Sequence, residues 1–138
     1  MKKRSYDSFQ VGDTASFSKT ITESDVSSYA GITGDFNPVH IDEEYAKKSF
    51  FKDRIVHGML SAGLISAVLG TKLPGPGAIY LSQDLKFRKP VKINDTITAK
   101  VEITERKPER KILKLKTTCS NQKDDQVLTG NAEIMLNT

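Results

Sequence analysis

The chain has 138 residues, of which 37% are hydrophobic and 28% charged. That is length enough for one folded core, and the apolar and charged shares read as a globular rather than a disordered chain. Lys and Arg number 21 against 17 for Asp and Glu, a net charge of +4, a modest and scattered surplus that suits an anionic ligand without demanding nucleic acid. The single cysteine, Cys119, excludes a disulfide framework and a thiolate cluster within one chain, and the two histidines, His40 and His57, nearly exclude the common zinc constellations.

The basic start Met1-Lys2-Lys3-Arg4 is followed by no apolar run, so it does not read as a secretory leader, and a cytoplasmic location is expected. Gln10-Val11-Gly12-Asp13 reads as a turn into a strand from Thr14 to Thr20. Thr22 and Asp25 have capping-box spacing at the start of a helix. Val26, Tyr29 and Ala30 share one face of it, and Gly31 and Gly34 bracket its end. Pro38 keeps Asn37 out of the helical region and lacks a donor, so Asp35 to His40 is expected to be irregular. Asp42-Glu43-Glu44 opens a short helix with acids in its first turn, where the dipole favours them.

Met59 to Leu69, interrupted only by Ser61 and Ser66, is far short of the roughly 20 residues of a membrane span. Being apolar on almost every face, it predicts a helix covered by neighbours all round and ended by Gly70. Leu73-Pro74-Gly75-Pro76-Gly77 is a loop by composition. Four alternating strands follow, with inward faces Ile79-Leu81-Gln83-Leu85-Phe87, Ile97-Ala99-Val101-Ile103, Leu113-Leu115-Thr117-Cys119 and Leu128-Gly130-Ala132-Ile134-Leu136. The short polar connections at 92–95, 107–109 and 121–125 read as hairpins. No repeat or linker divides the chain, so residues 1–138 are expected to form one α+β domain, an antiparallel sheet curled around one helix, with sheet edges that need a partner.

Three features carry chemistry. Asp35 and His40 are separated by a proline bend that could bring carboxylate and imidazole together around a water. The residues alone equally allow Asp35 as a cap and His40 as a satisfied structural histidine. Gly58 stands where the apolar helix begins; without a side chain it would let a ligand reach an unpaired helix-start amide, which could stabilise an oxyanion. The plainer reading is a glycine at a helix start with His57 on the surface beside it. Ser66 is a hydroxyl in an apolar helix that either bonds the carbonyl four residues back or meets a buried polar group such as Asp35.

Asp35-x-Asn37-Pro38-x-His40 resembles the hydratase 2 motif of the MaoC-like family, the (R)-specific enoyl-CoA hydratases. Tyr29, Thr33-Gly34 and Ala46 fall at the motif's spacing, and the likeness continues through Arg54-Ile55-Val56-His57-Gly58-Met59-Leu60, Leu73-Pro74-Gly75 and Tyr80-Leu81. The chain closely resembles the short bacterial members that supply (R)-3-hydroxyacyl-CoA for polyhydroxyalkanoate synthesis. The resemblance implies a hot-dog fold, a long central helix wrapped by an antiparallel sheet, paired into a homodimer with a continuous sheet. It implies that Asp35 and His40 hold and activate a water for a short-chain trans-2-enoyl-CoA, and that the Gly58 amide binds the thioester carbonyl. Ser66 is then the position that orients the aspartate, Asn37 orders the pair, and Leu69 and Ile134 border the acyl pocket. No metal and no cofactor beyond the coenzyme A of the substrate is implied, and no nucleic-acid or membrane partner.

Lys86, Arg88 and Lys89 are candidates for the coenzyme A phosphates, while Arg106-Lys107 with Arg110-Lys111 reads better as a solvated hairpin tip. Two other activities stay open at this point, a hot-dog acyl-CoA thioesterase and a non-catalytic acyl-thioester binding module.

Overall fold

The computed structural model describes residues 2–137; Met1 of the basic start and Thr138 lie outside the described residues. Five strands, β1 (Thr14–Thr20), β2 (Ala78–Phe87), β3 (Thr96–Lys107), β4 (Ile112–Ser120) and β5 (Gln126–Leu136), form one sheet in the order β1-β3-β4-β5-β2. Every neighbouring pair is antiparallel. One row runs across the whole sheet, from Ala15 through Val101, Thr117 and Gly130 to Leu85. The predicted inward faces of β3, β4 and β5 hold: Ile97, Ala99, Val101, Ile103, Leu113, Leu115, Cys119, Leu128 and Ile134 are all buried.

Four helices precede or fill this sheet: α1 (Glu23–Thr33), α2 (Pro38–Ile41), α3 (Glu43–Lys47) and α4 (Gly58–Thr71). The capping box forms as expected, with the Thr22 side chain accepting from the Asp25 amide and the Asp25 carboxylate from the Thr22 amide. Gly34 ends α1 in the left-handed region at φ 81°, whereas Gly31 lies inside the helix. α4 starts at Gly58 as expected and buries Leu64, Ile65, Val68 and Leu69 in the curve of the sheet. The Cys119 thiol is buried beside it, pointing at the Ser61 carbonyl over 3.6 Å, and burial pushes its pKa up to about 12.

Four expectations need correction. The segment 92–95 is not a hairpin, because β2 and β3 are separated by β5 and β4, and the chain between them crosses to pair with the segment before α4 (Val56 N–H to the Val91 carbonyl, 2.8 Å). β2 does not keep one inward face: its register shifts between Tyr80 and Ser82, and as an edge strand it leaves Ile79, Tyr80, Leu81 and Phe87 exposed. Pro38 does not prevent a helical turn but begins one, since the first helical position needs no amide hydrogen. α4 is not covered all round; Met59, Gly63, Ser66 and Gly70 form an open stripe along it.

Gly130 sits where the chain passes closest to its neighbour, since an added Cβ would lie 1.9 Å from the Asp84 carbonyl oxygen, whereas a Cβ on Gly31 meets nothing within 4 Å. In urea or thermal denaturation, Gly130→Ala is expected to destabilise the protein by about 1–3 kcal/mol. Gly31→Ala is expected to stabilise it by about 0.5–1 kcal/mol through helix propensity. Equal effects of the two would contradict the close pairing of β5 with β2 at Gly130.

Candidate active site

The bend after α1 is built by local hydrogen bonds. The left-handed Gly34 turns the chain out of the helix, and the Asp35 amide donates to Thr33 Oγ1. Asn37 then caps α2, its Oδ1 accepting from the Val39 amide, while its own amide donates to Asp35 Oδ1 at 3.2 Å. Asn37 thus links the Asp35 carboxylate to the start of α2. One turn on, His40 is buried, and its Nδ1 lies 2.8 Å from the Ile55 carbonyl. A carbonyl only accepts, so Nδ1 carries the proton and Nε2 is left with its lone pair. Arg54 fastens the turn from outside, donating from Nε to the His40 carbonyl and pairing with Glu23 of α1.

His57 is not the surface residue that its place before a helix suggests; it is only 2% exposed. Its Nε2 donates to the Asp35 backbone carbonyl at 3.0 Å, and its ring stacks on that of His40 with centroids 3.8 Å apart and meets Tyr29 at 4.7 Å. Asp35, His40 and His57 bring one ligand atom each to within 4.8 Å of one another. An atom at the centre of so small a triangle is no more than about 2.8 Å from each corner, hydrogen-bonding distance for a water. The same three groups are the described residues best placed to hold a metal ion.

These side chains face a cavity of about 550 Å³ whose lining is mostly apolar, including Val56, Val91, Val127 and Leu128. Gly58 lines it as the first residue of α4, and the opening amides of that helix have no carbonyl within the helix to receive them. A Cβ on Gly58 would stand 2.6 Å from the Phe87 ring, so a side chain here would have to displace that exposed ring.

The remaining expected site residues divide. Arg88 and Lys89 line the cavity, whereas Lys86 faces a separate surface hollow with Asp84 and Lys116. Leu69 and Ile134 are 1% exposed, belong to the core and do not line this cavity. Ser66 is exposed on the open stripe of α4 beside Tyr80, and within one chain it does not meet Asp35; the serine that lines the cavity is Ser61, whose buried hydroxyl has no partner. The physical reason is helical phase: Ser61 and His57 are four apart and share a side, and Ser66 points well away from it. Sequence reasoning also missed Phe50 and Phe51, which line the cavity from the turn after α3.

The MaoC like domain matches residues 8–124 of this chain. The chain is 51% identical to the (R)-specific enoyl-CoA hydratase of Rhodospirillum rubrum over 95% of its own length and 90% of that protein's. It is 37% identical to the mitochondrial 3-hydroxyacyl-[acyl-carrier-protein] dehydratase of Arabidopsis thaliana, over 92% of this chain and 77% of that one. Its fold superposes on the (R)-hydratase from Aeromonas caviae involved in PHA biosynthesis with a TM-score of 0.91 and 41% identity, over 94% of this chain and 98% of the other.

Burial pulls the His40 pKa below its ordinary 6.5; the Ile55 hydrogen bond opposes this, the His57 charge adds to it, and Asp35 opposes it. The fold therefore favours neutral His40. Its contribution to stability is present above pH 6.5 and is lost as the pH falls through the lowered value. An NMR titration of the His40 ring is expected to place its midpoint below 6.5; a midpoint above it would contradict the burial described.

Proposed function

The chain belongs to the MaoC-like family, and from that premise we propose that it is a hydro-lyase, an (R)-specific enoyl-CoA hydratase that adds water reversibly to short-chain trans-2-enoyl-CoA. The observation that carries this reading is the fixed His40 tautomer: Nδ1 is occupied by the Ile55 carbonyl, so a basic Nε2 stands with the Asp35 carboxylate at an apolar cavity that also holds the start of α4. Asp35 and His40 hold one water. As its oxygen bonds to C3 of the enoyl thioester, the pair takes one proton from it, and the electrons of the double bond shift toward the thioester carbonyl. The Gly58 amide, at the positive end of the α4 dipole, stabilises the oxyanion, an effect of a few kcal/mol in an apolar site. A proton returned from the pair to C2 completes the addition and restores the starting state. His57 supports the pair by holding the Asp35 carbonyl and stacking on the His40 ring. The residues and the substrate supply every group this sequence of steps uses.

The open stripe on α4 and the unpaired edge of β2 give the same apolar face, bearing Met59, Ile79, Tyr80 and Leu81. A second copy of the chain covers it in this reading, joining two sheets edge to edge through β2. Ser66, Leu69 and Ile134 then owe any role in the site to the assembled dimer. Among the described residues no helix is long and apolar enough to cross a membrane.

With crotonyl-CoA as substrate, Asp35→Asn and His40→Ala are each expected to lower kcat about 10²-fold or more, with the circular dichroism spectrum unchanged. Loss of enoyl absorbance without free thiol, and an (R) product on chiral analysis, complete the expected result. Release of free thiol would favour a thioesterase, and binding without turnover an acyl-thioester binding module. Sedimentation is expected to give twice the mass of the chain, and Leu81→Glu to shift it toward the single chain; a wild-type monomer would remove the proposed pairing.

A further inference from the structure

Two buried polar atoms at the start of α4 have no hydrogen-bond partner, His57 Nδ1 and the Ser61 hydroxyl. Both residues line the cavity, and they are 2% and 1% exposed. Both atoms are closed off from solvent, so water of the cavity does not reach them. Among the described residues one more such atom occurs, Arg106 Nε, whose guanidinium lies over the Tyr6 ring. Unpaired buried groups are costly, and each needs an explanation.

The chemistry of the two atoms is complementary. The Asp35 carbonyl only accepts, so His57 Nε2 carries a proton, and in the neutral ring Nδ1 then keeps a lone pair that needs a donor. Ser61 has a donor to give. A serine inside a helix commonly bonds the carbonyl four residues back, which here is that of His57. That carbonyl already accepts from the Leu60 amide at 3.0 Å and the Ser61 amide at 3.4 Å, and the Ser61 hydroxyl does not join them. The Cys119 thiol points at the Ser61 carbonyl and leaves the hydroxyl alone. His57 and Ser61 share one side of the helix start. A hydroxyl swings toward such a neighbour by turning about χ1, with no movement of the backbone. Hydrogen bonds of a reaction site are often long or poorly aligned in a structure without substrate.

Resting on the hydratase reading above, we propose that Ser61 is a positioning residue of the site, its hydroxyl donating to His57 Nδ1 and completing a chain from Ser61 through the His57 ring to the Asp35 carbonyl. No proton passes along this chain. The bond selects the His57 tautomer whose Nε2 proton holds Asp35. In the other tautomer a lone pair on Nε2 would face the carbonyl oxygen and repel it. The bond also keeps the ring from turning over where it stacks on His40, with centroids 3.8 Å apart. Ser61 thus acts on both members of the pair through His57, without touching the reacting atoms.

Ser61→Ala removes the hydroxyl at nearly the same volume. It is expected to lower kcat for crotonyl-CoA about five- to ten-fold, with KM within about two-fold of the wild type and the circular dichroism spectrum unchanged. His57→Gln keeps a side-chain donor for the Asp35 carbonyl but has no acceptor in place of Nδ1. In that background Ser61→Ala is expected to cost no further activity. An equal loss in both backgrounds would make Ser61 a packing residue and overturn the proposal, as would full activity of Ser61→Ala alone. Heteronuclear NMR of the histidine rings reads the bond directly, in the free protein and with the unreactive butyryl-CoA bound. The wild-type His57 Nδ1 resonance is expected to be that of a hydrogen-bonded acceptor, and that of Ser61→Ala to be that of a bare lone pair. A bare lone pair in the wild type in both states would overturn the proposal, and this holds even if Ser61→Ala fails to fold. A wild type that hydrates no enoyl-CoA would remove the hydratase reading and leave the same ring resonances to decide the hydrogen bond.

Discussion

His40 gives its Nδ1 proton to the carbonyl of Ile55 over 2.8 Å, and the state of the whole site follows from that bond. It fixes the tautomer, so the nitrogen left for the cavity is a base rather than a donor. It also ties α2 to the segment leading into α4. That segment is tied in turn to the sheet, through the Val56 amide on the Val91 carbonyl and the bridge of Ile55 with Lys92. A second bond of the same kind, from His57 Nε2 to the Asp35 carbonyl, sets the other half of the pair against the helix start. The side chains of His40 and His57 are thus placed by main-chain carbonyls, which have fewer ways to relax than side-chain partners would.

The sheet and α4 make this possible by division of labour. β3, β4 and β5 bury α4 along Leu64, Ile65, Val68 and Leu69, which leaves its first turn at the cavity and its open stripe at the surface. The helix start then presents its unpaired amides at the cavity. The same burial favours the neutral form of His40.

Much of this is legible in the sequence where local rules decide the outcome. The capping box at Thr22 and Asp25, the Gly34 terminus and the alternation in β3, β4 and β5 are short-range patterns, and each appears as expected. Sequence patterns mislead where distant partners decide. Strict alternation in β2 could not reveal the register shift after Tyr80, which depends on β5. The short polar run at 92–95 looks like a hairpin because sequence does not show that β2 and β3 lie on different sides of β4 and β5. In the site, Asp35, His40 and Gly58 come together at one cavity, and Asn37 caps α2 while its amide meets the Asp35 carboxylate. His57 escapes because a histidine before a helix reads as exposed until the sheet is known to close over it. Ser66 and Ser61 cannot be told apart without the rotation of α4 relative to the cavity.

Cys119 is sealed between β4 and α4, with its pKa pushed up to about 12. Burial thus disfavours the thiolate, the form that attacks disulfides and is attacked by peroxide. With its single cysteine buried, the chain presents no exposed thiol for exchange with sulfhydryl compounds.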